Sequence, residues 1–287
     1  MDIRRLEMFS AVVEHGTFTR AAAAMFVSQP GLSKAVQELE HELGVRLFDR
    51  VGRRVLLTAA GRALVGPARN VLRDVEVCRE SVGAVAGLER GFLDLACLPT
   101  LAADPTADLI GRFRIAHPGV QVTLAAPDDP ADLAAMVRQG EVEIGIGDEP
   151  DARSGFVVHH LDEQDLLAVM PPGTARPDGE AITLRELVAQ PLVVTPRGTS
   201  SREVLDAAIA ASGESPTFAV ETAQREAILP LVLTGAGVGL LPRPVAELAA
   251  RLGAVVVATR PVFRRRVAAF HRATPRSPAG EAFLALL

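Results

Sequence analysis

The chain is short of several things, and each shortage narrows what it can be. It has two cysteines, Cys78 and Cys97, in 287 residues. They form no metal-ligand spacing and no disulfide framework, which points to a reduced compartment. Cys78 and Cys97 read as small buried hydrophobes, with a redox pair as the lesser alternative. No run of about eighteen uncharged apolar residues occurs, so no membrane-spanning helix is expected. The opening MDIRRLEMFSAVVEHG lacks the apolar core and cleavage site of a signal peptide, and a cytoplasmic location is expected. Lysine is nearly absent: Lys34 is the single one, among 30 Lys and Arg. The net charge of −5 excludes a uniformly basic nucleic-acid binder.

Charge is unevenly spread, however. Residues 1–66 hold nine Arg and Lys against seven Asp and Glu, so the acidity belongs to the rest. Within that basic end, Thr17 to Leu39 (TFTRAAAAMFVSQPGLSKAVQEL) predicts two short helices and a tight turn. Alanine favours the first. Ser28 can cap the second, and Pro30 falls in its first turn, where a missing N–H costs nothing. Leu32, Val36 and Leu39 make one apolar face, while Gln29, Ser33, Lys34 and Gln37 make a polar one. A polar face with one cation and no carboxylate before Glu38 suits base edges and phosphates, as in a helix-turn-helix. A helical hairpin with a solvated face is the plainer alternative.

The flanking segments extend the pattern. Residues 3–15 predict an amphipathic helix through Ile3, Leu6, Phe9, Val12 and Val13, ended by Gly16. Strand-like runs around Val51-Gly52-Arg53 predict a hairpin carrying Arg46, Arg50, Arg53 and Arg54. Beside a helix-turn-helix, a cationic hairpin is a wing that follows phosphates or enters the minor groove. Thr58 is placed to cap a long helix. Its residues Leu64, Ala68, Val71, Val75, Cys78, Val82 and Val85 form a heptad seam, for which dimerisation is the natural use. Pro67 is expected to kink or loosen it near its start.

From Gly91 onward, strand-like and helical runs alternate, which predicts parallel sheets covered by helices in two α/β subdomains. Ligands of such folds bind at strand C-termini, near helix N-termini and between domains. The segment GAGVGLL, Gly235 to Leu241, imitates a dinucleotide loop in the wrong order, helix before glycines and strand after. His41-Glu42 lacks a second zinc-ligand histidine. His159 and His160 alternate across a strand and cannot share a metal. No Ser–His–Asp nucleophile elbow is visible. No cofactor and no enzyme activity are expected.

Taken together, the chain resembles the LysR-type transcriptional regulators. The resemblance covers the full length and is strongest over residues 3–66. It is carried by LEMFSAVVEHGTFTRAAAAMFVSQPGLSKAVQELEHELGVRLFDR and RRVLLTAAG, with Phe48, Arg50, Arg53, Leu57, Thr58, Ala60 and Gly61 at matching spacing. IGRFRIAHPGVQVTL, GEVEIGI and LVLTGAGVGLLP match less tightly and suggest the effector-binding domain, similar to periplasmic binding proteins. The resemblance implies an overall α/β chain. A winged helix-turn-helix (1–58) is followed by a dimerising linker helix (59–89) and an effector-binding domain (90–287). Subdomain I would hold about 90–161 and 266–287, and subdomain II about 162–265. It implies a homodimer through the linker, a homotetramer as the common assembly, promoter DNA and a small-molecule effector as partners, and RNA polymerase as a further candidate.

The family pattern places the start of the recognition helix in the major groove. Gln29, Pro30, Ser33 and Lys34 hold those positions, with Gln29 and Ser33 selecting sequence and Lys34, Arg50 and Arg53 supplying phosphate affinity. Thr19 and Arg20 are candidates for the backbone, with capping or a surface ion pair as the alternative. For the effector, Thr100 matches the first-strand ligand residue. Thr199, Ser200 and Ser201 precede a helix, with Arg197 and Arg202 adding positive charge, an arrangement that favours a small anion or carboxylate. The same hydroxyls can also be mere N-caps. Asp128 and Asp129 depart from the family's small polar residues there; they favour an amine or hydroxylated ligand, or point into water. A ligand-binding protein without specific DNA binding is the rival reading.

Overall fold

A computed structural model describes residues 1–51, 54–84, 91–177 and 179–287. The N-terminal part packs three helices: α1 (Ile3–His15), α2 (Phe18–Ala24) and α3 (Gln29–Leu43). The start of α3 at Ser28 and the end of α1 at Gly16 are those the sequence marks. Asp2, Thr17 and Ser28 each accept from a backbone N–H of the first turn, and Gly16 and Gly44 adopt left-handed conformations at the C-termini of α1 and α3. Leu6, Phe9, Val12, Ala21, Leu32, Val36 and Leu39 share one core. Strands β1 (Phe48–Val51) and β2 (Arg54–Leu57) pair antiparallel as the wing. Phe48 anchors that wing, with its ring 5.4 Å from Phe9 and 5.7 Å from Phe18.

Helix α4 (Ala59–Ala84) continues through Pro67. The Thr58 hydroxyl accepts from Gly61 N at 3.0 Å, as its capping role requires. The seam has a closer partner than the sequence suggests. Ala68 is fully buried in the N-terminal core, with Leu64 and Leu72 packed against it, so part of the apolar stripe is used within the chain. Val71 and Cys78 remain exposed.

The remainder forms two lobes on one continuous sheet. The first lobe contains β3 (Gly91–Cys97), α5 (Ala107–Ala116), β4 (Val120–Ala125), α6 (Pro130–Gln139) and β5 (Ile144–Asp148). A long strand, β6 (Phe156–Met170), then crosses into the second lobe. That lobe holds β7 (Ala181–Thr183), α7 (Leu184–Val188), β8 (Pro191–Val194), α8 (Ser200–Ser212) and β9 (Thr217–Glu221). It continues with α9 (Arg225–Leu233), β10 (Val238–Pro242), α10 (Arg243–Arg251) and β11 (Val255–Arg260). Strand β12 (Phe263–Arg272) returns to the first lobe, where α11 (Pro278–Leu284) closes the chain. The strand path is β4-β3-β5-β12-β6-β10-β8-β9, with β11 also pairing β6 and β7.

The expectation of parallel sheets holds within the lobes, where β4, β3 and β5, and likewise β10, β8 and β9, run parallel. It fails at the ribbon that joins them. β6 and β12 pair antiparallel, with a register shift after Val267, and each carries core residues of both lobes. The same two strands also run antiparallel to β10 and β11 on one side and to β5 on the other.

Candidate DNA interface and inter-lobe site

The polar face of α3 is built as the sequence implies. Ser28 caps Gly31 N at 3.2 Å, which leaves Gln29, Pro30 and Gly31 on the surface. Gln29 Nε2 donates to Ser33 Oγ at 2.8 Å, so the two residues proposed to select sequence already hold one another. Lys34 projects with its side chain 78 % exposed and only a loose 3.9 Å approach to Glu38. Thr19 and Arg20 are exposed on α2. Arg53 and the side chain of Arg50 lie outside the described residues.

Two features of this region escaped the sequence reading. Glu40 Oε1 accepts from Leu47 N (2.7 Å) and Phe48 N (3.2 Å), tying the start of the wing to α3. Acidity within a helix gives no hint of a backbone partner in a later loop. Phe26 stands at φ 54° in the turn and is 96 % exposed. Both conditions are uncommon for an aromatic residue.

In the second half, the five predicted effector residues divide. Thr100 lies in a short turn after β3, and Ser200 opens α8. They meet at one group the sequence reading missed, Arg265. Its guanidinium donates to Thr100 Oγ1 (2.7 Å), Ser200 Oγ (3.1 Å) and Gln164 Oε1 (2.9 Å from Nε). Gln164 is its cross-strand partner on β6, so the joining ribbon carries the guanidinium to the junction of the lobes. Arg265 is 4 % exposed. Burial lowers its pKa from the ordinary arginine value, opposed by the Asp148 charge. Every hydrogen bond it makes among the described residues goes to a neutral oxygen.

The other candidates serve differently. Thr199 Oγ1 bonds Thr195 Oγ1 at 2.5 Å and donates to Pro196 O at 2.8 Å, while Ser201 Oγ lies 3.4 Å from Thr195 Oγ1. These hydroxyls shape the loop before α8. Arg197 is exposed. Arg202 is turned into the second lobe: it donates to Asp206, Thr195 O and Glu221 and stacks 4.2 Å over Phe218, so its charge is spent there. Asp129 caps Asp132 N at 2.8 Å. The Asp128 carbonyl accepts from Arg225 of α9 at 2.6 Å, a second bridge between the lobes. His159 meets His271, not His160, with the two Nε2 atoms 3.2 Å apart. Among the described residues, no group of three or more His, Cys, Asp or Glu is placed to hold a metal. Gly237 packs so close to β8 that a Cβ would lie 2.3 Å from Pro191 O, which explains that glycine as backbone packing, while Gly235 takes a left-handed φ of 91° after α9.

Comparison with known proteins decides the family. Residues 3–62 match the bacterial regulatory helix-turn-helix proteins of the lysR family, and residues 86–287 match the LysR substrate binding domain. The chain belongs to the LysR-type transcriptional regulators. It is 33 % identical to the HTH-type transcriptional regulator TfdS of Cupriavidus pinatubonensis, over 86 % of this chain and 84 % of that one. It is 32 % identical to the HTH-type transcriptional regulator IlvR of Caulobacter vibrioides, over 87 % and 85 %. Among solved structures, a full-length OxyR variant from Pseudomonas aeruginosa matches with TM-score 0.78 and 25 % identity, over 100 % of this chain and 92 % of that one. Full-length CbnR complexed with its target DNA matches with TM-score 0.70 and 25 % identity, over 99 % and 98 %. As a member of a family of regulators, this LysR-type chain is a DNA-binding transcriptional regulator with an effector-binding domain, not an enzyme.

Proposed function

We propose that this LysR-type regulator binds a promoter site and that a small anion or carboxylate, held between its two lobes, changes how it sits there. The observation that supports the effector class is Arg265. A buried cation bonded only by neutral groups is costly, and an anion delivered to it recovers that cost. Thr100 and Ser200 reach the same guanidinium from opposite lobes, so an anion there would touch both and bias their relative orientation. Effector action requires unequal affinity for the two arrangements. Thr199, Ser201 and Arg197 act in this reading as the frame and rim of the α8 N-terminus.

On DNA, Gln29, Pro30 and Ser33 face the bases, and Thr19, Arg20, Lys34, Arg50 and Arg53 the phosphates. The working division is winged helix-turn-helix 1–58, linker 59–89 and effector domain 90–287. Two chains join through the exposed part of the α4 stripe, and two such dimers make a tetramer; RNA polymerase is a further partner at the promoter. Action on promoter DNA places the protein in the cytoplasm. No described helix is long and apolar enough to cross a membrane.

Selection of genomic fragments with the purified protein at near-physiological salt tests this reading. Recovery of a short inverted repeat is the expected result, followed by a change in DNA bending when carboxylates are added. Retention without sequence preference would sink the promoter reading. Unchanged bending with every tightly bound ligand would sink the coupling.

A further inference from the structure

The anionic-effector reading leaves part of the inter-lobe site unexplained, and the inference here rests on that reading. Beside Arg265 the site turns acidic. Asp148 ends β5 and pairs in register with Val267, two residues along β12 from Arg265. Its Oδ1 is closed to solvent and has no hydrogen-bond partner among the described residues. A closed carboxylate oxygen without a donor is as uncomfortable as a buried cation without an anion. Asp129 caps α6 through its Oδ1, while the Asp128 carboxylate is 89 % exposed, with Arg225 4.0 Å away. Asp148 Oδ1 is therefore the closed carboxylate oxygen beside Arg265 that is left to a ligand.

Charge then discriminates between ligand types. A simple anion on Arg265 adds a negative charge beside Asp148. A simple cation on Asp148 adds a positive charge beside Arg265, whose field already reaches Asp148. A molecule with both groups a few bonds apart relieves the buried guanidinium and the partnerless oxygen together. We propose that the effector is a zwitterionic amino acid, its carboxylate held by Arg265, Thr100 and Ser200 and its ammonium by Asp148. Binding then engages both lobes, through Thr100 from the first and Ser200 from the second.

The test is calorimetry on the full chain with the standard L-amino acids. Each amino acid that binds is compared with its deaminated carboxylate and its decarboxylated amine; for L-leucine these are 4-methylpentanoate and isopentylamine. An amino acid is expected to bind at least about thirtyfold more tightly than either counterpart, the discrimination of a buried, hydrogen-bonded charge pair. Asp148→Asn should cost the amino acid about thirtyfold and leave the matched carboxylate within about threefold. Arg265→Gln should weaken both acids. Because that variant removes a cross-lobe bridge, its folding is checked by thermal unfolding, and Asp148→Asn carries the decision. Carboxylates binding as tightly as amino acids, an equal loss of both in Asp148→Asn, or no binding by any amino acid would overturn the proposal. The first two outcomes leave the anionic-effector reading standing. Failure of carboxylates and amino acids alike removes that reading too. Fragment selection without ligand separately reports on DNA recognition.

Discussion

Single side chains are held in opposite ways in the two halves of this regulator. Lys34 is exposed and loosely held, its side chain reaching only 3.9 Å from Glu38, so in the proposed interface little would be lost if it turned to a phosphate. Lys34→Ala is expected to weaken binding to all DNA sequences alike. It should reduce the slope of log affinity against log salt by about 0.9, the value for one phosphate, as measured by titration at several salt concentrations. Arg265 is useful because it is buried and tightly held. His271 belongs to the second kind. Its Nδ1 donates to the Arg272 carbonyl at 2.7 Å, and its ring stacks on His159. Burial lowers its pKa below 6.5, and the charges of Arg276 and His159 lower it further, against the opposing effect of the Arg272 bond. The unfolded chain therefore takes up a proton, as pH falls through about 6.5, that the native chain refuses. Its contribution to stability is full above that pH and declines below it, toward the lowered native value. Urea unfolding at about pH 7.5 and about pH 5.5 should show this decline, and His271→Gln should flatten it.

At the scale of elements, the wing shows how few contacts hold a working part in place. The β1–β2 hairpin is tied to the body by Phe48, by Glu40 beneath its first strand, and by Thr58, which donates to Arg46 O at 2.7 Å while capping α4. The chain then turns so sharply that Gly61 lies under the Leu47 carbonyl, where a Cβ would stand 2.1 Å from the oxygen. No side-chain movement relieves a clash with backbone. Gly61→Ala should cost about 1–3 kcal/mol and lower the melting temperature, with DNA affinity falling as the wing shifts. The glycine, threonine and flanking arginines were legible at this point in the sequence. Glu40 was not, because its partners are backbone groups seven and eight residues away, and no periodicity reports such a bond.

For the whole molecule, the long helix and the long ribbon are what join the parts. Helix α4 is fastened to the first lobe as well as to the N-terminal core. Arg73 donates to Asp94 at 2.9 Å and lies 3.5 Å from Glu143, and Arg69 pairs with Glu141. Burial raises the Glu143 pKa, against hydrogen bonds from Ser277 and the charge of Arg73. With one side of the helix so occupied, the surface left for the proposed second chain includes Val71, which is 38 % exposed although it sits on the apolar stripe. Val71→Glu should shift sedimentation toward the monomer at a given concentration while leaving the circular dichroism of the folded chain unchanged. An unaltered dimer would remove α4 as the joining element. The ribbon of β6 and β12 has Arg265 near one end and Arg272, bonded to Asn70 of α4, at the other.

Sequence alone determined whatever depends on neighbours along the chain. The caps at Ser28 and Thr58, the apolar face of Leu32, Val36 and Leu39, the basic hairpin and the alternation of strand and helix after Gly91 are local patterns, and each is set by spacing. Position before a helix marked Ser200, and the family resemblance marked Thr100 at the end of a strand. Only the tertiary structure decided that the two hydroxyls share a guanidinium 65 residues beyond Ser200. It also decided that Asp148 ends beside that guanidinium, that Arg202 faces away, and that His159 meets His271. Burial and long-range pairing made those choices. A charged residue in a strand reads the same whether it meets water or the seam between two lobes, and its environment exists only once the chain has folded.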